Sequence, residues 1–307
     1  MKSIGLLFFE IRKAMDKHIT IIAGIDFSDS SSIVLRHALH AAQSADVTVI
    51  AVHVLETNRQ EYREASGQTK ASFEVLKCQA DDRFAQLLSG KSNGTHVEFI
   101  VKQGKPVDEL NLLAKNMGAA FLILSANDMT KKRLGSVAAK CVRTAPCDVM
   151  ILRDWQGGAF KKIVACTDFS ETADRAIARA ASLANRHGAA LEIINVMYPP
   201  SRDSWGKVLD HAADSPVTYE EECRSRMNKK MEQCLKRSAS ALEGVSYEAV
   251  ILESQMPSVA ITEHVRSNGS DLVVMGTQGQ SQLASYFIGT NAERLIQDAP
   301  VSVFAVR

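Results

Sequence analysis

The segment Asp271-Leu-Val-Val-Met-Gly276-Thr-Gln-Gly279 decides the fold of this chain. A short apolar run of this kind predicts a buried strand, and the glycines that close it predict a tight polar loop at the strand's end. A second glycine precedes a hydroxyl residue at Gly289-Thr290, where a helical pattern begins. Glycine turns at element boundaries can present backbone N–H groups to a phosphate chain, because the first amides of a helix lack partners within it.

The pattern around this segment occurs twice. Apolar strands alternate with helical periodicity throughout, which is typical of a parallel sheet covered by helices on both faces. The strand and acid at residues 20–26 correspond to those at 162–168, and the ending Ala145-Pro146 corresponds to Ala299-Pro300. The self-similarity extends over about 140 residues per copy, which is too long for a solenoid repeat. We therefore predict two tandem, Rossmann-like domains with open parallel sheets.

The predicted domain boundary is the glycine pair Gly157-Gly158, which follows a strand pattern and suits a linker. The resulting division is an N-terminal arm at 1–17, a first domain at 18–153, a linker at 154–160 and a second domain at 161–307. The start of the chain is briefly apolar, but Glu10 interrupts the run. No small-residue cleavage site follows, so we interpret this segment as an arm or an upstream start rather than a signal peptide.

Charge and cysteine content exclude several classes of protein. Lys and Arg number 36 against 35 Asp and Glu, a formal charge of +1, so no global field attracts nucleic acid or an anionic membrane. The 6 cysteines form neither a Cys-x-x-Cys pair nor a zinc-spaced cluster with histidine, which predicts reduced thiols and a cytoplasmic location. No apolar run after the N-terminal arm is long enough to cross a bilayer.

Each copy places an acid, Asp26 or Asp168, at the carboxyl end of its first strand. Ligands of open α/β sheets bind outside these strand ends, so either carboxylate could accept hydrogen bonds from the base or ribose of a nucleotide. The alternative is an acid that only caps a helix or shapes a loop.

The loops after the fourth strand of each copy differ. Aligning the shared ends matches Ser125 with Gly276 and Asp128 with Gly279. Glycine allows a ligand to approach the backbone, and a carboxylate would repel phosphate. We therefore predict that the first copy carries a degenerate loop and binds nucleotide poorly or not at all.

Taken together, these features resemble the universal stress protein family in its tandem two-domain form. The resemblance covers nearly the whole chain after about residue 18 and rests on the strand–acid start at 164–168, the 271–279 segment and the ending at 299–303. Its most specific element is a G-x2-G-x9-G-[ST] pattern, which resembles that of the ATP-binding branch. This pattern is complete at Gly276, Gly279, Gly289 and Thr290.

The resemblance implies an adenine nucleotide α-hydrolase-like fold that binds ATP at the strand ends, or ADP or AMP, with Mg²⁺ possible beside ATP. The residues it implies near the adenosine are Thr167, Asp168 and Val196. Those it implies near the ribose and phosphates are Gly276, Gly279, Gly289, Thr290 and Asn291. Family members often carry His or Arg beside the glycines, whereas this chain has Gln278 and Gln280. Neutral donors bind phosphate less strongly than charged ones, so we expect modest affinity, with Arg294 one turn into the helix.

The resemblance also implies that the two domains pair as a pseudo-dimer through their last strands, with homodimerisation and unidentified protein partners as further possibilities. The predicted function is a stress-response or signalling module that binds ATP with slow or no hydrolysis. The alternative is a nucleotide-independent interaction or scaffold protein. An enzyme is disfavoured because no Gly-x-Ser-x-Gly elbow, Walker lysine or His-Glu-x-x-His motif is present. His37 and His40 could share a metal, but no third ligand is near them in sequence.

Overall fold

The computed structural model describes residues 19–43, 47–56, 68–91, 95–126, 134–198, 219–279 and 289–307. Contacts divide the chain into two compact units. The first unit comprises Met1–Asn127 and Thr144–Leu152, and the second comprises Asp128–Arg143 and Arg153–Arg307. These bounds follow spatial contacts, whereas the domain bounds proposed above follow the sequence repeat and stay a prediction. The N-terminal arm at 1–17 lies outside the described residues.

The first unit contains an open sheet of parallel strands. The strands are β1 Ile19–Gly24, β2 Val47–Glu56, β3 Val97–Gly104, β4 Phe121–Ser125 and β5 Asp148–Leu152. Their order across the sheet is β3-β2-β1-β4-β5, and each neighbouring pair is parallel. The helices in this half of the chain are α1 Ser31–Ala42, α2 Gln68–Leu88, α3 Pro106–Asn116 and α4 Ser136–Thr144.

The second unit contains a sheet of the same topology. Its strands are β6 Lys162–Cys166, β7 Ala190–Met197, β8 Tyr247–Glu253, β9 Leu272–Gly276 and β10 Ser302–Val306. They lie in the order β8-β7-β6-β9-β10, again all parallel. The helices between them are α5 Glu171–His187, α6 Tyr219–Arg237, α7 Ala239–Leu242, α8 Pro257–Asn268 and α9 Thr290–Asp298. The predicted fold class, tandem α/β domains with open parallel sheets, is confirmed.

The strand order fixes where a ligand could bind. In the second unit the chain moves from β6 outward to β7 and β8, and then returns to the other side of β6 to form β9 and β10. The direction of winding therefore reverses between β6 and β9. Crevices outside the carboxyl ends of strands at such a reversal are the usual ligand sites of open α/β sheets.

Helix α5 shows how the sequence builds this frame. It begins at an N-cap, Ser170, whose hydroxyl oxygen accepts a 3.2 Å hydrogen bond from the Ala173 amide. It ends at Gly188, whose φ of 64° is left-handed and suits glycine. Its buried face consists mainly of alanines with Ile177. Small side chains let the helix pack closely on the strands, so its first turn lies firmly at the carboxyl edge of the sheet.

The predicted linker is packed rather than loose. Trp155 and Phe160 at its two ends are both buried. The Phe160 ring lies 5.2 Å from the His187 ring, and the Phe160 amide donates to His187 Nδ1 at 3.3 Å. Gly157 and Gly158 both adopt positive φ, at 100° and 81°, which explains the glycine pair as a turn.

Candidate functional site

A cleft of about 640 Å³ opens at the carboxyl edge of the second unit's sheet. It lies where the winding reverses, at the ends of β6, β7 and β9. All eight residues that the sequence predicted as a nucleotide site line this cleft, namely Thr167, Asp168, Val196, Gly276, Gly279, Gly289, Thr290 and Asn291. The structure thus brings the predicted set together in one place, and their role in binding stays a prediction.

The loop after β6 is held in a strained conformation. Phe169 has a φ of 68°, which is costly for a residue with a side chain, on the order of 1–3 kcal/mol. Two local hydrogen bonds stabilise the turn: the Phe169 amide donates to Thr167 Oγ1 at 3.0 Å, and the Ser170 amide donates to Asp168 Oδ1 at 3.0 Å. The Asp168 side chain is therefore positioned at the cleft by its own loop.

The end of β7 forms the neighbouring wall. The Thr167 amide donates to the Ile194 carbonyl at 2.8 Å, and Asn195 Nδ2 donates to the Thr167 carbonyl at 2.8 Å. The buried Asn195 Oδ1 accepts no hydrogen bond from the described residues. Asn195 thus ties β7 to the loop that carries Asp168, and Val196 follows it at the mouth of the cleft.

The glycine loop after β9 is fitted closely to its surroundings. A Cβ built on Gly276 would lie 2.8 Å from Thr172 Cγ2 and 3.3 Å from the Thr172 carbonyl carbon. A Cβ built on Gly279 would lie 2.8 Å from Asp168 Oδ2. The intervening Thr277 is anchored by its amide and its hydroxyl, which both donate to the Val306 carbonyl, at 2.9 and 3.1 Å. Close packing therefore explains why glycine occupies positions 276 and 279, whether or not a ligand binds.

Helix α9 begins at the far side of the loop. Its N-cap, Gly289, has extended backbone (φ −62°, ψ 142°) and makes no side-chain cap hydrogen bond. The Gly289 amide donates to the Thr277 carbonyl at 3.3 Å, and the Glu293 amide closes the first helical turn on the Gly289 carbonyl at 2.9 Å. Within the described part of the chain, nothing lies within 4 Å of a Cβ built on Gly289. The first turn of α9 also lines the cleft through Thr290 and Asn291, so the positive end of its helix dipole lies at the cleft.

Among the described residues, the charged side chains that line the cleft are those of Asp168 and Lys230. Lys230 lies on α6, and the sequence patterns did not predict its place in the cleft. Arg294 is exposed and is not among the described residues that line the cleft. Its expected contribution to phosphate binding therefore stays a prediction. Glu293 forms a 2.7 Å ion pair with Arg143. Gln278 lines the cleft, and Gln280 lies outside the described residues.

Helix α6 is tied to the loop after β6 near its C-terminal end. Arg237 donates to both carboxylate oxygens of Asp174, at 2.7 and 3.0 Å, and to the Phe169 carbonyl at 3.4 Å. Cys234 Sγ lies 3.7 Å from Thr167 Oγ1. These contacts bring one face of α6 against the strained turn.

The cysteine that lines the cleft is not a reactive thiolate. Burial raises the pKa of the Cys166 thiol to about 12. Because the thiolate is the nucleophile, this group stays protonated and inert near neutral pH. The side chain acts as part of the apolar wall.

The equivalent place in the first unit is occupied by the chain's own hydroxyl groups. Asp26 Oδ1 accepts from the Ser28 amide at 2.9 Å and from the hydroxyls of Ser28 and Ser31 at 2.5 and 3.0 Å. Ser30 Oγ donates to Ser125 Oγ at 3.1 Å, and Ser125 is the residue aligned with Gly276. Asp128 lies outside the described residues. The Asp26 carboxylate thus serves loop structure in the first unit.

The described residues also bear on two further features, a metal site and a membrane-spanning helix. Among the described residues no group of three or more His, Cys, Asp or Glu side chains could hold a metal ion, and His37 is buried in α1. The described helices also include none with the length and apolarity needed to cross a bilayer.

The fold is that of a duplicated open α/β domain, with a cleft at the topological reversal of the second copy. The family model for the universal stress protein family matches residues 19–153 and 159–307. This chain belongs to the universal stress protein family, so the resemblance drawn from the sequence is confirmed.

Several known proteins are similar to this chain. A universal stress protein from Thermus aquaticus, encoded 3′ of a sulfhydrylase, is 32% identical over 148 residues, which is 48% of this chain and 99% of that protein. A crystal structure of a universal stress protein from Archaeoglobus fulgidus DSM 4304 matches with a TM-score of 0.66 at 21% identity, covering 95% of this chain and 99% of the other. The similarity to the Archaeoglobus structure shows the shared fold. At 21% identity it does not show that the two proteins bind the same ligand.

Proposed function

We propose that the second unit binds an adenine nucleotide, with ATP as the principal ligand, and that the bound nucleotide acts as a switch in a stress-response or signalling module. The observation that supports this proposal is the convergence of three chemically distinct parts in one cleft. An apolar wall, a carboxylate and a helix N-terminus lie in it together. The volume of about 640 Å³ is within the usual range of small-molecule sites.

The apolar wall suits a purine base. Ile194, Ile261 and Met275 line the cleft and are at most 8% exposed. Met227 adds a flexible, polarisable side chain from α6. A flat base gains from contact with such a surface because it leaves water, at roughly 25 cal/mol per Å² of apolar area. Val196 at the end of β7 would lie beside the base.

The carboxylate of Asp168 suits a ribose. A carboxylate accepts hydrogen bonds only, and ribose hydroxyls can donate them. Thr167 and the Asp168 loop stand next to the apolar wall, so a base placed there would bring its sugar to this carboxylate. A hydrogen bond to a charged group contributes on the order of 1.5–3 kcal/mol.

The start of α9 suits phosphates. The amides of Thr290 and Asn291 belong to the first turn of the helix and have no acceptor within it. Anions at such positions are stabilised by the helix dipole and by direct N–H donation. Gly279 and Gly289 keep the approach to these amides clear of side chains.

We further propose that hydrolysis is slow or absent, so that the nucleotide acts as a ligand rather than a substrate, and that the protein works in the cytoplasm. Free cysteines, including the exposed Cys78, suit a reducing compartment. ADP or AMP would fit the same wall and carboxylate, and Mg²⁺ would accompany ATP rather than bind to a protein cluster of its own.

A second candidate, a nucleotide-independent interaction protein, is favoured by one observation. Gly276 and Gly279 are explained by close packing against Thr172 and Asp168, so they do not by themselves require a ligand. Gly289 separates the two candidates, because a side chain at this position would meet no other described residue within 4 Å and would mainly fill the cleft.

The test is to purify the protein, denature it and identify any released nucleotide by chromatography, and then to titrate the emptied protein with ATP, ADP and AMP by calorimetry. Gly289→Val should lower the melting temperature by only a few degrees, because valine is a poorer N-cap than glycine, and should lose most of the ATP affinity. Absence of released nucleotide together with absence of ATP, ADP and AMP binding would overturn the proposal in favour of the interaction protein. Unchanged affinity in Gly289→Val would show that phosphates do not lie at the start of α9.

A further inference from the structure

We infer that Lys230, on α6, is the cationic ligand of the nucleotide's phosphate chain, in place of the basic residue that the glycine loop lacks. This inference rests on the function proposed above. The loop itself offers Gln278, whose amide carries no charge. Lys230 is the positively charged side chain among the described residues that line the cleft.

The geometry of α6 directs Lys230 into the cleft. Met227, Lys230, Cys234 and Arg237 follow each other at intervals of three and four residues, so they share one face of the helix. The far end of this face is fixed by Cys234 beside Thr167 and by Arg237 on the Phe169 carbonyl. The same face therefore presents Lys230 toward the cleft about one turn before Cys234.

Lys230 is the residue that can offset the negative charge of Asp168 in the cleft. Asp168 brings a negative charge into the cleft, which by itself opposes a phosphate chain. Arg143 is already paired with Glu293 at 2.7 Å, and Arg294 is not among the described residues that line the cleft. Among the described residues, no hydrogen bond or ion pair engages Lys230. Its ammonium group is therefore available to offset Asp168 and to bind an anionic ligand.

The neighbouring Lys229 provides a matched control. It carries the same charge on the same exposed stretch of α6, but it lies about 100° around the helix and does not line the cleft. A general change in protein charge would act equally through Lys229 and Lys230. A direct contact would act through Lys230 alone.

The experiment compares wild type, Lys230→Gln, Lys230→Arg and Lys229→Gln by calorimetric titration with ATP at low and high salt. We expect Lys230→Gln to weaken ATP binding about tenfold at low salt, as the loss of one charge-assisted hydrogen bond predicts. It should also reduce the salt dependence of the affinity. Lys230→Arg should retain most of the affinity, and Lys229→Gln should change neither quantity by more than about twofold. Melting curves should be the same for all four proteins.

The outcomes separate this inference from the function on which it rests. If the wild type binds none of ATP, ADP and AMP at either salt concentration, the nucleotide-binding proposal fails, and the inference fails with it. If the wild type binds ATP but Lys230→Gln and Lys229→Gln behave alike, only the role of Lys230 is refuted.

Discussion

Gly279 and Asp168 are in such close apposition that a Cβ on the glycine would lie 2.8 Å from the Asp168 Oδ2 atom. The two residues come from loops after different strands, β9 and β6, so their contact joins the two sides of the cleft. The near atom is the end of a side chain, which can rotate away at the cost of the hydrogen bond that Asp168 Oδ1 accepts from the Ser170 amide. A side chain at position 279 would therefore change the site more than the fold.

We expect Gly279→Ala to displace the Asp168 carboxylate and to lower ATP affinity about tenfold or more, because a charged hydrogen bond is lost. The melting temperature should stay within a few degrees of the wild type. Calorimetric titration and thermal denaturation measure the two effects. Gly118→Ala in the first unit is the control for affinity: its Cβ would meet open space, but its φ of 57° disfavours alanine, so it should lower the melting temperature without changing ATP binding. Full affinity in Gly279→Ala would show that the Asp168 position does not matter for binding.

Gly276 differs from Gly279 because its closest neighbours include backbone. A Cβ at position 276 would lie 3.3 Å from the Thr172 carbonyl carbon, in the first turn of α5, as well as 2.8 Å from the Thr172 methyl carbon. We expect Gly276→Ala to destabilise the protein by about 1–3 kcal/mol, the usual cost of overpacking. Thermal or urea denaturation measures this change. Gly289→Ala has open space among the described residues and should lose only the small N-cap preference for glycine, so equal stability of the two variants would contradict the packing argument.

Sequence patterns predicted the frame and most of the cleft, for identifiable reasons. Buried parallel strands are apolar runs, and the glycines and Asp168 mark where such runs end, so their meeting at one sheet edge follows from topology. Lys230 was not predictable in this way. Its helix is rich in charge, and only contacts distant in sequence, such as Cys234 with Thr167, show which face meets the sheet. The sequence does contain an apolar residue and a cation three positions apart, Met227 and Lys230. This spacing only weakly indicates that both residues face a ligand.

The pair Asp26 and Asp168 tests the asymmetry between the two copies. In the first unit the Asp26 carboxylate accepts hydrogen bonds from Ser28 and Ser31, whereas Asp168 lines the cleft. We expect Asp168→Asn to weaken ATP binding at least several-fold, because an amide is a poorer acceptor than a carboxylate. Asp26→Asn should leave the affinity and the number of bound nucleotides unchanged. A loss of binding in Asp26→Asn, or a wild-type stoichiometry of two, would mean that the first copy also binds.

A buried carboxylate far from the candidate site predicts how stability depends on pH. Glu192 Oε2 accepts from His264 Nε2 at 2.8 Å and from Asn268 Nδ2 at 2.6 Å, and Oε1 lies 3.0 Å from the Lys162 ammonium. Burial by itself raises the pKa of this carboxyl, but the hydrogen bonds from His264 and Lys162 outweigh it, so the pKa is lowered overall. A lowered folded-state pKa means stability that is present above the unfolded-state pKa, about 4.3, and lost as pH falls below it toward the folded-state pKa.

We expect Glu192→Gln to reduce the free energy of unfolding at pH 7 by about 1–3 kcal/mol, because it leaves buried donors poorly paired. The difference between variant and wild type should shrink as the pH falls below about 4.3. Urea denaturation at a series of pH values measures this. Glu248→Gln is the matched control, since Glu248 is the register partner of Glu192 on β8 and is exposed. A constant difference across the pH range would contradict the assigned ionisation.

The bidentate pair between Arg237 and Asp174 should affect binding without contacting the ligand. Arg237 also donates to the carbonyl of Phe169, the residue held at a φ of 68°, so it stabilises the turn that carries Asp168. We expect Arg237→Gln to lower ATP affinity several-fold, because the turn can relax toward an unstrained backbone and carry Asp168 away from its position. Arg224 is exposed on the same helix as Arg237 and pairs with Glu253 of β8 at 2.7 Å, so Arg224→Gln controls for loss of a surface ion pair. Calorimetric titration measures the ATP affinity of both variants. Equal affinities would show that the hydrogen bond from Arg237 to the Phe169 carbonyl does not hold Asp168 in position.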